Sequence, residues 1–283
     1  NRMDERGSGK DRSVWVNGYG MSGSLDSDGN TSGADVRMHG VAIGVDTWVG
    51  DHWLIGASIG KLSVHGDFAP GDRGQSDLKS LSVYTRVRGD HLFVDGVLSH
   101  DWDDNKVARR IQIGDLTRQA RANYGSHGTA VHLEAGWTWS IGHQRLQPLL
   151  SFDHARQDND HFIESGAGSL SLSGASHSTK QHLTGIGLRW FGAWQAGSWT
   201  LRPSVEARRL RQSLAPTSFP VAFVGAPDNG YAVRGASLPR YQNLFDLGLL
   251  ARKGRLELYL DGSARTGGNA DAASVNAGLR WHW

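Results

Sequence analysis

Acid–imidazole neighbours are the side chains in this chain that could most directly do chemistry. Asp153-His154 and Asp160-His161 each set a carboxylate beside a histidine. Such a pair can orient a general base that activates water, if both groups converge on one point. On an extended strand successive side chains face opposite ways, so Asp153 and His154 cannot act together. Other hydrolytic patterns are missing. No G-x-S-x-G turn presents a serine, and no H-E-x-x-H offers a zinc site. The 13 histidines are scattered and cysteine is absent, which excludes thiolate metal sites and a disulfide framework. Gly166-Ala167-Gly168 does not join a strand to a helix, so a phosphate loop is not expected.

The remaining chemistry lies in charges that recur on one parity. Asp46, Arg86, Arg88, Asp95, Glu134, Asp153, Arg189, Arg202, Glu206, Arg208, Asp246, Glu257 and Arg280 each sit opposite a run of apolar neighbours. Leu256, Leu258 and Leu260 alternate with Glu257, Tyr259 and Asp261; Ile186, Leu188 and Trp190 alternate with Gly185, Gly187 and Arg189. At the C-terminus Val275, Ala277, Leu279, Trp281 and Trp283 oppose Asn276, Gly278, Arg280 and His282. A period of two means strands with one oily and one wet face. In a dry sandwich core these ions would cost several kcal/mol each. In the lumen of a membrane barrel they are hydrated or paired, and the apolar face meets lipid.

Twelve alternating segments are expected, near 13–24, 36–49, 52–65, 76–88, 91–106, 118–141, 145–158, 180–190, 199–212, 240–252, 255–266 and 272–283. Glycine recurs inside them, which disfavours helices. The connections alternate. Gly50-Asp51, Gly89-Asp90, residues 142–144, residues 192–198 and Lys253-Gly254 are short, whereas 66–75, 159–179 and 213–239 are long, with 267–271 intermediate. Tight turns on one side and longer loops on the other characterise up-and-down membrane barrels. An even strand count puts both termini on the tight-turn side. Trp137, Trp139, Trp190, Trp194, Trp199, Trp281 and Trp283 sit near those turns, as an interfacial aromatic girdle would. Glycines on the wet face read as leaving the interior wide.

Composition agrees. Of 283 residues, 38 are Gly and 11 Trp, and the net charge of +2 leaves no nucleic-acid footprint. The mean hydropathy of -0.43 looks soluble, but lumen and lipid faces cancel along a barrel strand. No apolar run reaches the ~18 residues of a transmembrane helix. The start, Asn1-Arg2-Met3-Asp4-Glu5-Arg6, is no signal peptide, so an exported chain would be a mature product or a fragment.

The chain resembles the C-terminal translocator β-domain of classical, type V autotransporters. The resemblance rests on ordered stretches: residues 14–20 (VWVNGYG), 40–46 (GVAIGVD), 54–60 (LIGASIG), 93–96 (FVDG), 133–137 (LEAGW), 146–148 (LQP), 162–168 (FIESGAG), 185–189 (GIGLR) and the terminal aromatic. It implies an all-β, 12-stranded antiparallel up-and-down transmembrane β-barrel in the outer membrane of a Gram-negative bacterium, with room for an N-terminal segment in the lumen. Residues 1–12 would be a linker stub leading out of the pore, a helix remnant or disordered, and 13–283 the translocator domain. The implied partners are outer-membrane lipid, the chain's own passenger polypeptide, and periplasmic chaperones with the barrel-assembly machinery. That machinery would read Trp281 and Trp283 as the assembly signal. No cofactor, metal or nucleic acid is implied, and a closed barrel is expected to be a monomer.

Some relatives release the passenger by cyclisation of an asparagine, helped by lumen acids. Asn1 is the candidate scar; the plainer reading is that it marks only where the segment begins. Asp46, Asp95, Glu134, Asp153 and Glu206 are the candidate acids, with pairing to arginines the simpler role. The domain is expected not to be an enzyme. Alternatives are a barrel hydrolase or protease with its site at the extracellular mouth, a passive porin-like channel, and a soluble β-sandwich.

Overall fold

A computed structural model describes residues 12–27, 31–68, 71–214, 218–235 and 238–283. Twelve strands form a closed antiparallel ring: β1 Arg12–Leu25, β2 Ala34–Val49, β3 Trp53–Phe68, β4 Asp72–Arg88, β5 Leu92–Ile113, β6 Leu116–Trp137, β7 Gln144–Asn159, β8 His177–Gly192, β9 Trp199–Leu214, β10 Tyr241–Lys253, β11 Leu256–Gly267 and β12 Ala270–His282. Each strand pairs with its sequence neighbours, and β1 closes on β12 from Ser13↔His282 to Leu25↔Ala270. Closure removes the unpaired edges that an open sheet would expose. Among the described residues the only helical element is a 3-10 turn, Gly168–Leu170.

The faces fall as the alternation predicts. Leu188, Leu258 and Leu279 point outward and are 47, 40 and 43 % exposed, while Arg189, Glu257 and Arg280 point into the barrel. All thirteen charges read from parity lie on the inward phase of their strands.

Several connections differ from the expected pattern. The stretch expected as a long loop at 66–75 is mostly strand, because β3 runs to Phe68 and β4 starts at Asp72. β5 and β6 have 22 residues each and meet at Gly114, whose φ of 57° suits a two-residue hairpin turn. A membrane needs only ~9–11 residues per tilted strand, so this hairpin rises well beyond it. The 118–141 segment breaks at Thr138; Trp139–Ile141 is a separate short strand paired with β7. β1 begins at Arg12, one residue inside the stretch read as linker; the rest of that stretch, with Asn1, lies outside the described residues.

The two longest connections are not structureless. Phe162–Ile163, Leu172–Gly174, Ser218–Phe223 and Ala226–Arg234 form a four-stranded sheet. Its strands come from the β7–β8 and β9–β10 connections, with Leu172 in register with Phe223. Alternation over two or three residues is too short to read, and the pairing is non-local. This sheet leans on the tall β5–β6 hairpin. Arg121 bridges Ser165, and Ala167 and Leu170 pack on Ile111 and Ala120. Arg109 of β5 donates to Glu164 at 2.6 Å and to the Leu170 carbonyl at 3.1 Å.

Candidate functional site: the barrel lumen

Inward positions of strands β6 to β9 bring four ions together. Arg189 donates to Glu134 at 2.9 Å and to Glu206 at 2.6 Å; Arg208 donates to Glu134 at 2.6 Å and also pairs with Glu206. Gln147 adds a contact to Arg189 at 3.3 Å. Arg189 and Glu134 are only 2 and 4 % exposed. Two acids and two guanidiniums thus neutralise one another in a dry patch of the lumen. Removing one member of a buried pair typically costs ~3–5 kcal/mol, so this quartet ties β6 to β8 and β9 across β7.

A second network spans the closure seam. Arg280 of β12 pairs with Asp46 of β2 at 3.0 Å, and Ser13 of β1 also donates to Asp46. Tyr84 of β4 donates to Asp46 at 2.8 Å, and the Trp15 indole donates to Tyr84 at 2.6 Å. Elsewhere Arg86 pairs with Asp95 across β4 and β5, Glu257 lies 3.7 Å from His282, and Asp153 lies 2.6 Å from His132. Arg202 faces inward beside these groups, and Asp246 is in register with Glu206. His154, the sequence neighbour of Asp153, faces outward and contacts His182 instead.

The wet-face glycines do not leave the interior as open as their number implies. Rings lie over them: Trp15 over Gly44, Tyr19 over Gly40, Tyr84 over Gly56, Phe93 over Gly136 and Tyr259 over Gly278. Each missing Cβ seats an aromatic flat against a neighbouring strand, a device that stiffens a curved sheet. A cavity of about 530 Å³ remains in the lumen, lined by Trp15, Tyr84, Arg86, Glu257, Arg280 and His282 among others.

Outside, Val41, Ile43, Ile59, Leu81, Leu150, Ile186, Leu247 and Leu260 build a continuous apolar belt. Trp53, Trp137, Trp139, Trp194, Trp281 and Trp283 are exposed at its tight-turn edge, at 45–51 %. Parity located the ionic residues but not their partners. Ser13, Tyr84 and Gln147 share the inward phase, yet nothing local marks them as ligands of the charged clusters.

A closed ring with an oily exterior, an aromatic girdle and an ion-paired polar interior defines a membrane-spanning β-barrel. The autotransporter beta-domain family matches residues 14–263, and the chain belongs to it. It is 22 % identical over 282 residues to an extracellular serine protease of Serratia marcescens, covering 96 % of this chain and 26 % of that protein. The chain therefore spans about a quarter of that relative's length. Its fold is similar to the translocator domain of the autotransporter NalP from Neisseria meningitidis, with a TM-score of 0.76, 15 % identity, and coverage of 95 % of this chain and 88 % of that one. It is also similar to the β-domain of the Bordetella autotransporter BrkA, with a TM-score of 0.72, 18 % identity, and coverage of 96 and 99 %. The domain is an outer-membrane translocator of a Gram-negative bacterium.

Proposed function

We propose that the lumen is the route by which this chain carries its own passenger polypeptide to the cell surface, with residues 1–11 as the linker and 12–283 as the barrel. One observation carries the reading: β1 and β12 meet at the tight-turn end, so the chain entering β1 approaches the pore from the periplasmic side. A segment upstream of Arg12 then reaches the surface most directly through the polar interior. Arg280, Glu257 and His282 line the cavity near that entrance, with Asp46 behind Arg280, and offer hydrogen bonds to a passing backbone. No cofactor is needed.

Trp281 and Trp283 on the exposed side of the closing seam support a role for β12 as the segment read by the assembly machinery. Glu134, Glu206 and Asp46 are each held by guanidiniums, which supports a structural role for these acids over help with passenger cleavage at Asn1. The test is an epitope fused upstream of Asn1 and expressed in a Gram-negative host. Protease added outside intact cells should remove the epitope from barrels that show heat-modifiable migration. Assembled barrels whose epitope stays protected would overturn the reading and favour a passive channel.

A further inference from the structure

Above the apolar belt, the outer wall of β7–β10 changes character abruptly. With a strand tilt near 40°, each residue climbs roughly 2.5 Å across the membrane. Counted from Trp190 near the tight-turn end of β8, Lys180 lies ~25 Å higher, which matches the ~25 Å apolar band of an outer-membrane barrel. Arg156 on β7 is in register with Lys180, and Arg211 and Arg209 on β9 continue the row obliquely downward, in register with Thr184 and Ile186 of β8. All four are exposed and on the lipid-facing phase. Between them His154 and His182 stack with ring centroids 4.5 Å apart. Arg209 is oriented by Asn243 at 2.7 Å, and both it and Arg240 lie over the Tyr241 ring, at 5.3 and 5.7 Å.

The acid of this wall is Asp158, which Arg156 binds at 2.8 Å. Hydrogen bonds from Arg156 and then Ser178 hold its carboxyl down at about 2. The wall across β2–β5 is mixed instead. There Arg37 and Arg73 face Asp67 at 2.8 and 3.7 Å, and Asp77 lies two residues from Lys79.

Lower on the same wall the exposed surface is hydrocarbon: Leu150, Phe152, Ile186 and Leu188, continued on β10 by Phe245 and Leu247. Cations over an apolar wall complement an amphiphile whose anionic head sits above its acyl chains. We propose that the outer face of β7–β10 is a binding site for the phosphorylated lipid A headgroup of outer-leaflet lipopolysaccharide, with Arg156, Lys180, Arg209 and Arg211 meeting its phosphates. Arginine suits phosphate through bidentate hydrogen bonds, and lysine adds a point charge. The continuous apolar wall favours a lipid over free phosphate, which would gain nothing from it.

The test uses the refolded full chain in detergent, probed by native mass spectrometry. The probes are bis-phosphorylated lipid A, the same lipid with both phosphates removed, and inorganic phosphate. The wild-type chain should prefer the phosphorylated lipid by about tenfold or more, since each interfacial cation contributes appreciably. K180Q/R211Q should lose most of that preference while keeping heat-modifiable migration, and K61Q/K79Q on the opposite wall should retain it. Equal binding of the two lipids by wild type, an undiminished preference in K180Q/R211Q, an equal loss in K61Q/K79Q, or displacement of the lipid by millimolar inorganic phosphate would each overturn the proposal. The wild-type comparison decides the matter even if a variant fails to fold.

Discussion

Arg12 and Trp283 exchange both of their backbone hydrogen bonds: the Arg12 amide donates to the Trp283 carbonyl at 3.3 Å, and the Trp283 amide returns a bond to Arg12 at 3.0 Å. The ring is sealed by the final residue of β12's extension against the first residue of β1. Deleting residues 281–283 removes this seal, the Val14↔Trp281 pair and two girdle indoles together. The truncated protein is expected to remain periplasmic and to lack heat-modifiable migration. Full recovery in the outer membrane, measured by cell fractionation, would contradict that.

Lipid exposure predicts a gradient. Leu247 is 64 % exposed near the middle of β10, whereas Leu258 lies close to the tight-turn end of β11. Leu247→Arg should destabilise by ~2–4 kcal/mol and Leu258→Arg by about 1 kcal/mol or less, because the penalty depends on depth. Denaturant unfolding in lipid vesicles measures both. Equal penalties would show that the belt is centred elsewhere.

Glu134→Gln strips two guanidiniums of a carboxylate in a dry patch and should cost ~3–5 kcal/mol. Asp153→Asn should cost far less, because its side chain is 41 % exposed. Unfolding of both variants in detergent gives the comparison. A mild effect at Glu134 would mean that water reaches the quartet.

Gly44→Ala puts a Cβ into the Trp15 indole, which must leave its seat and loosen its bond to Tyr84. Overpacking of this kind costs roughly 1–3 kcal/mol. A Cβ on Gly18 meets no atom within 4 Å, so Gly18→Ala should be nearly silent. Refolding rates followed by gel migration should separate the two.

The architecture was largely legible because a period of two survives any local noise. Leu258 beside Glu257 and Leu188 beside Arg189 state the inside and outside of a strand without help from the rest of the fold. All twelve barrel strands answer to such runs. Parity could not say which ions meet: Arg189 finds Glu134 because β6 and β8 both flank β7, and Asp46 finds Tyr84 across β3. The four-stranded sheet was invisible for a related reason. Its strands are as short as two residues, and the register of Leu172 with Phe223 joins parts of the chain far apart in sequence. The lumen glycines misled because their vacant volume is occupied by rings from neighbouring strands.

The 22-residue β5 and β6, braced by the sheet that Arg109 and Glu164 tie down, stand against a β11–β12 turn of only Gly268 and Asn269. The barrel therefore ends in a lopsided rim. On the proposed route a chain leaving the pore would meet a stiff parapet on one flank and a low rim on the other, so its first folding steps outside the cell would take place beside a preformed β-surface.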